Sequence, residues 1–332
     1  MKNQTSEKID MVYLWCDGNE KAFRERKNTF LKKENQNSNE EANGDKRFFD
    51  NEELRYSLRS LEQNAPWINH VFIVTDRQTP KWLNSNCEKV SIVDHSEILP
   101  THSIPCFNSA VIEYFISFIP GLSEKFLYGN DDMFFGSPVT PDYFFNGDKP
   151  IVRVKKLKPK EYNRYNSILL NNHQNYEWYA TIANSLNILN QFYNKNLYYE
   201  PIHNIDSYTK SSFLSTFNRF KPELMKRFNN RFRTNNDIAR ILFNLDAVYS
   251  GNADLAIFNK PRTLRRMFHW LKKVNYDFYV ATDSNQNHLK DILKYQPKLF
   301  CLNSGTNCSI EAKSLVKQFM EKLFPIPSKF EI

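Results

Sequence analysis

Over the first 140 positions the apolar residues come in short, dense runs separated by polar turns: Ile9 to Trp15 (IDMVYLW), His70 to Thr75 (HVFIVT), Val90 to Val93 and Phe126 to Tyr128. Runs of that length, rich in Val, Ile, Tyr and Phe and closed by Asp, Asn or Gly, predict buried strands. Between them the period lengthens. Lys21 to Lys33 reads as a charged helix, and Leu54, Leu58 and Leu61 recur at helical spacing behind Asp50 as N-cap and Glu53 three residues on, which predicts a helix over Asn51 to Asn64. A further helix is expected from Asn108-Ser109 to about Phe118, with Val111, Ile112, Phe115 and Ile119 as its core-facing stripe. Strands alternating with helices in this way predict an α/β fold with a mostly parallel sheet.

Beyond Asp142 the pattern changes. Ile151 to Val154 reads as a strand, but Asn163 to Asn196 is rich in Asn, Tyr and Leu and predicts helices with wet faces. A loop from Tyr198 to Asp206 carries His203, and helices are expected at Ser211 to Phe220, Pro222 to Arg227 and Asn236 to Tyr249. Strand and helix return at Lys298 to Leu302 and Ile310 to Phe324. The expected organisation is an α/β core over 1–144, a mostly helical insertion over 145–270, and a return to the core over 271–332. The polar segment NQNSNEEANGDK after Glu34 is expected to be a surface loop.

The composition narrows the chemistry. Five scattered cysteines without a CxxC pair suggest neither a zinc site nor a disulfide framework, and fit a reducing compartment. MKNQTSEKID lacks the apolar centre of a signal peptide, and no run of about 18 apolar residues occurs, so a soluble or membrane-peripheral, cytoplasmic protein is expected. The net charge of +8 suits a phosphate-bearing substrate or an anionic membrane face. No nucleic-acid signature accompanies it. Neither GxGxxG nor GxxxxGK[ST] is present, so phosphate must be held by something other than a glycine-rich cradle.

Candidate chemistry gathers where strands end. Asn130, Asp131 and Asp132 follow the fourth strand, at the carboxyl edge where open α/β sheets bind ligands, and adjacent carboxylates there suit a divalent cation. The dipeptide alone also fits a solvated acidic turn. Asp17 and Asp76 close the first two strands. Arg55 and Arg59 lie four apart on one helix face, placed either for a diphosphate or for surface pairing with Glu52 and Glu62.

IDMVYLWCDG, RFFDNEELRYSLRSLEQNAPWINHVFIVTDRQTPKWL, VDHSEILP, FNSAVIE, PGLSEKFLYGNDDMFF and KLFCLN together resemble the conserved regions of the Stealth family, sugar-1-phosphate transferases of bacterial capsule and exopolysaccharide synthesis. The catalytic core of the N-acetylglucosamine-1-phosphotransferase alpha/beta subunit is similar. His203 followed by Phe232-Arg233-Thr234-Asn235-Asn236-Asp237 resembles that family's loop histidine and its FR-x-x-x-D segment. The chain departs from the pattern at Ile205, where a proline is usual, and at Ser304, where an aspartate is usual.

The resemblance implies a glycosyltransferase A-like, nucleotide-sugar-binding fold and transfer of a hexose 1-phosphate from a UDP-sugar to a saccharide or lipid-linked glycan, with UMP leaving. On that reading Asp131 and Asp132 hold Mg²⁺ or Mn²⁺, His203 is the general base, and Arg233 complements the phosphoryl oxygens. Asp17, Asp76, Arg55, Arg59, Asn108, Ser109, Glu113, Asn130 and Asn303 are then the expected substrate contacts. The alternatives are a glycosyltransferase of the same fold that releases UDP, and a carbohydrate-binding protein without catalysis.

Overall fold

The structure is a computed structural model that describes residues 7–34, 43–44, 48–171, 177–258, 276–281, 286–304 and 309–332. The predicted polar loop after Glu34 falls mainly outside the described residues.

The strands are β1 (Ile9–Leu14), β2 (Val71–Thr75), β3 (Val90–Asp94), β4 (Lys125–Asn130), β5 (Met133–Phe135), β6 (Phe145–Asn146), β7 (Lys149–Lys156), β8 (Tyr199–Pro201), β9 (Asp206–Thr209), β10 (Asp254–Ile257), β11 (Tyr276–Ala281) and β12 (Leu299–Ser304). The helices are α1 (Lys21–Lys33), α2 (Glu53–Asn64), α3 (His95–Ile98), α4 (Ser109–Glu113), α5 (Pro159–Leu170), α6 (Trp178–Tyr193), α7 (Lys210–Arg219), α8 (Lys221–Met225), α9 (Ile241–Tyr249), α10 (Gln286–Tyr295) and α11 (Ile310–Leu323). Among the described residues no helix is long and apolar enough to cross a membrane.

The main sheet has five strands in the order β3-β2-β1-β4-β9; the first four run parallel and β9 antiparallel. The chain runs outward from β1 to β3 and then returns to the other side of β1, so the order reverses between β1 and β4. Loops leaving the two carboxyl ends there diverge and open a crevice, the usual ligand position in such sheets. β1 is buried along its whole length, and its residues alternate between two cores. Val12 and Leu14 join Phe126 and Tyr128 under the helical half, while Met11 and Tyr13 join Leu127 and the α2 leucines Leu54, Leu58 and Leu61 on the other face.

The region expected to be mostly helical is interrupted by strands. β7 carries β6, β8 and β10 on its edges, and β9 belongs to the main sheet, with Tyr128 opposite Asp206. The expected domain boundary therefore cuts through a sheet. Apart from β7, whose centre Ile151 to Val154 the sequence does predict, these strands are short; Asp206, Ser207 and Thr209 are buried where β9 pairs with β4.

Helix α2 also starts differently. Glu52 occupies its N-cap with a left-handed backbone (φ 64°), and Asp50 Oδ1 accepts from the Glu52 amide at 3.1 Å, before the helix begins. Asp50 thus caps a turn, and its carboxyl is left facing the crevice region described next.

Candidate active site

β1 and β4 are in register, Leu14 beside Asn130, so Trp15-Cys16-Asp17 and Asp131-Asp132 leave the sheet side by side. The Asp131-Asp132 turn is held on its far side by β5 and β12, which pair antiparallel with Met133 opposite Cys301. The Leu302 amide donates to the Asp132 carbonyl (2.9 Å) and Asn303 Nδ2 donates to Asp132 Oδ2 (3.0 Å). The Cys301 thiol hydrogen bonds to the same carboxylate. Asp132 Oδ1 is buried and has no hydrogen-bond partner among the described residues.

His203 enters from the turn between β8 and β9, which the β9–β4 pairing sets above Asn130. Ile205 in that turn packs into the sheet; a Cβ on Gly129 would lie 3.2 Å from its Cγ1. Ligand atoms of Asp132, His203 and Cys301 all lie within 4.8 Å of one another. Three residues with no telltale spacing in the sequence thus meet only in the fold.

Around the pair stands a set of carboxylates that repel one another. Burial, then the charges of Asp132, Glu53 and Asp50, push Asp131 well above the ordinary aspartate range. Glu53 is raised to about 8 by burial and by Asp50 and Asp132, and Asp50 to about 6 by burial and by Asp17. Asp132 is raised by burial, against which the hydrogen bonds of Cys301 and Asn303 act. Buried carboxylates held this close require protons or a cation. Hard oxygen donors and an orphaned Asp132 Oδ1 fit Mg²⁺ or Mn²⁺. Cys301, acting as a hydrogen-bond donor to Asp132, serves here as a thiol rather than as a thiolate ligand.

The other predicted contacts divide. Asp17 joins the carboxylate group, its Oδ1 accepting from the Asn19 amide (2.8 Å). Asn108 is buried and ties two segments together: its Nδ2 donates to the Asn230 and Phe232 carbonyls (both 3.1 Å) and to Asp237 Oδ2 (2.8 Å). That bracing orients the loop bearing Arg233, whose Nη2 donates to Ser109 Oγ at 2.6 Å. Glu113 accepts from the Tyr128 hydroxyl (2.9 Å), which also lies 3.1 Å from Asn130 Oδ1.

Asp76, by contrast, is 1% exposed and is bound by Arg26, Nε to Oδ2 at 3.1 Å. Arg55 and Arg59 do not point toward the carboxylates either. Arg59 donates to both Glu331 oxygens (2.8 and 2.7 Å) and to the Phe324 carbonyl (2.9 Å), and Arg55 Nε donates to Glu331 Oε2 (2.6 Å). Of the two alternatives the sequence left open, pairing is the one seen: Arg55 Nη1 also donates to Glu52 Oε2 (3.2 Å), and both arginines tether Glu331. The face of α2 that does look toward the site is Glu53, Ser57, Ser60 and Asn64, whose hydroxyls and amide bond Met133, Phe135 and Tyr13.

Sequence reasoning missed Asp50, Glu53 and Arg240 as site residues. Arg240 is buried, donates to Asp206 Oδ2 (2.7 Å) and Glu113 Oε1 (3.1 Å), and lies over the Tyr128 ring (4.8 Å). For Glu53 a signal exists: Glu53, Ser57, Ser60 and Asn64 form a polar stripe at helical spacing opposite the charged one.

A family model described as Stealth protein CR2, conserved region 2, matches residues 47–152, and one described as Stealth protein CR4, conserved region 4, matches 290–332. Capsular polysaccharide phosphotransferase LcbA of Neisseria meningitidis is 32% identical over 305 residues, covering 89% of this chain and 77% of that protein. The chain belongs to the Stealth family. Capsular polysaccharide phosphotransferase cps1A of Actinobacillus pleuropneumoniae is 34% identical over 233 residues, 69% of this chain and 62% of its own length. A solved structure of the galactosyltransferase LgtC, 10% identical, overlays on 96% of this Stealth chain and 98% of that one with a TM-score of 0.45. The two matched Stealth regions are the ones the fold joins: Asp50, Glu53, Glu113, Asp131 and Asp132 lie in one, Cys301, Asn303 and Glu331 in the other.

Proposed function

We propose that this Stealth protein transfers a sugar 1-phosphate from a UDP-sugar to a saccharide hydroxyl in capsular or exopolysaccharide synthesis, releasing UMP. The observation that carries the reading is the meeting of His203 with Asp132, within 4.8 Å and beside Asp131. An acidic cluster alone suits many functions, but a titratable imidazole at its edge suits deprotonation of a hydroxyl. The names of the related phosphotransferases support the same reaction class.

In this reading the acceptor oxygen attacks the phosphorus that bears the sugar. The bond from that phosphorus to the bridging oxygen breaks, UMP leaves with the electron pair, and the acceptor proton passes to His203. The sugar keeps its C1–O bond. Asp131 and Asp132, with Glu53 and Asp50 behind them, would hold Mg²⁺ or Mn²⁺, which would supply positive charge against the diphosphate and the leaving group. Arg233, oriented by Ser109 and by the Asn108 braces, complements the equatorial oxygens. Asn303 fixes the Asp132 carboxylate from β12. Asp17, after β1, faces the nucleotide.

The test is to incubate the full chain with UDP-sugars, Mg²⁺ and oligosaccharide acceptors and to identify both products by mass. UMP together with a phosphodiester-linked sugar is expected, and His203→Ala should lower turnover by roughly 10² to 10⁴. Exclusive release of UDP sinks the reading in favour of glycosyl transfer. Turnover unchanged in both Asp132→Ala and His203→Ala sinks the assignment of the site.

A further inference from the structure

The reaction just proposed needs two substrates, and the residues discussed so far serve the donor and the proton. Trp178, the first residue of α6, is half-buried, and its ring stands edge-to-face with His203 at 6.1 Å between centroids, with an interplanar angle of 87°. It is also tied to the arginine loop, because the neighbouring Glu177 amide donates to Asn235 Oδ1 at 2.8 Å. Asn184, farther along the same helix, donates to the Asn236 carbonyl at 2.7 Å. An indole is thus fixed between the proposed base and the loop carrying Arg233. Behind the indole stand Tyr179, 5.7 Å from Trp178, and the buried Tyr165, stacked on Tyr179 at 4.5 Å, which back it from the core.

We infer that Trp178 is the platform on which the acceptor saccharide rests. The inference depends on the reading of His203 as the base that takes the acceptor proton. A hydroxyl hydrogen-bonded to His203 sits about 3 Å from its ring nitrogen. The sugar ring bearing that hydroxyl comes within reach of the indole that stands against the imidazole, Trp178. A pyranose presents a face of C–H groups with no hydrogen-bonding demand, and an indole offers a rigid apolar face of matching size at low entropic cost. The ligand class is thus a neutral or anionic oligosaccharide with one face of axial C–H groups, gripped along its ring plane rather than by charge. Because Trp178 and Arg233 hang on the same hydrogen-bonded loop, acceptor and phosphoryl group are positioned by one rigid unit.

The experiment uses the full chain and a panel of di- to tetrasaccharides of N-acetylhexosamine and galactose. Binding is measured by calorimetry with and without UDP-sugar, and transfer kinetics are run where turnover is seen. Trp178→Ala is expected to weaken saccharide binding and raise the acceptor KM roughly tenfold or more, while the donor KM shifts less than about threefold; Trp178→Phe restores most of the loss. A Trp178→Ala protein that binds the saccharide within about threefold of wild type overturns the platform, as does a wild-type protein that binds no member of the panel. Saccharide binding that depends on Trp178 without UMP release from any donor leaves the platform standing and removes the phosphotransfer reading.

Discussion

Arg240 is the residue whose removal should be felt most sharply. Its guanidinium is buried between Asp206 and Glu113, at 2.7 and 3.1 Å, and stacks on Tyr128. Replacing it by methionine keeps most of the volume and removes the hydrogen-bonded cation from two buried carboxylates, which keep the Tyr208 hydroxyl (3.4 Å), the Tyr128 hydroxyl (2.9 Å) and, for Asp206, the nearby charge of Arg153. Breaking a buried ion pair by removing one partner costs about 3–5 kcal/mol, against a total stability of about 5–15 kcal/mol, so the variant should still fold. The cost depends on pH in a fixed direction. Burial already raises Glu113 and Asp206 in the intact protein, with Arg240 pulling both back. Without it their folded pKa values rise further above the unfolded values of about 4. A raised carboxyl pKa destabilises the fold only where the unfolded chain would be ionised, so the penalty is small below about pH 4 and grows as pH rises toward the folded pKa. Urea unfolding followed by circular dichroism at pH 5 and pH 8 should therefore give the larger Arg240→Met deficit at pH 8. The triple variant Glu113→Gln/Asp206→Asn/Arg240→Met should recover to within about 2 kcal/mol of wild type. A deficit below about 1 kcal/mol, or one independent of pH, would refute the charge argument.

Two other expectations follow from the same electrostatics. With Glu53 at about 8, Asp50 at about 6 and Asp131 pushed well above the ordinary aspartate range, Mn²⁺ binding is expected to expel at least one proton below pH 8 and more as the pH falls. Affinity should weaken roughly tenfold per pH unit from 8 to 6, with proton release seen by calorimetry in buffers of different ionisation enthalpy; a flat profile contradicts it. Glu331 is raised by burial but pulled down to about 2 by Arg59, the Ser328 amide and Arg55. Its stabilisation is complete above pH ~4.5 and is lost as pH falls toward ~2. Glu331→Gln should thus cost about 2 kcal/mol at pH 7, after allowing for water around Arg55, and flatten the acid limb of a thermal melt. An acid limb as steep as wild type would dismiss the tether.

The parallel core was readable because its strands are short apolar runs closed by Asp or Asn, and burial on both faces leaves no other use for IDMVYL or VFIVT. The position of Asp131 and Asp132 just past β4 was readable for the same reason, while their reading as metal ligands rather than a solvated turn came from the resemblance. His203 and Arg233 rested on resemblance alone, since nothing local marks a loop histidine. For Arg55 and Arg59 helical spacing left pairing and diphosphate binding open; Arg55 does pair with Glu52, but the shared partner Glu331 lies beyond anything spacing can show. The opposite stripe, Glu53 to Asn64, meets the site and is buried at every position. Cys301 and Arg240 carry no periodicity at all, and their roles exist only once β12 and β9 are paired.

The pairing of β12 with β5 has a further consequence, in the order of events during synthesis. The strand that supplies Asn303 and Cys301 to Asp132 is made well over a hundred residues after the carboxylates it steadies. Until then β5 exposes an open edge, and Asp131 and Asp132 repel one another without Asn303. Contacts of such long sequence separation form late. A nascent Stealth chain can therefore assemble its parallel sheet early and yet stay inert, acquiring a competent centre only when the segment anchored by Glu331 docks. Chains cut short before β12 are expected to fold in part and to show no transfer, and a truncated chain with full turnover would contradict this.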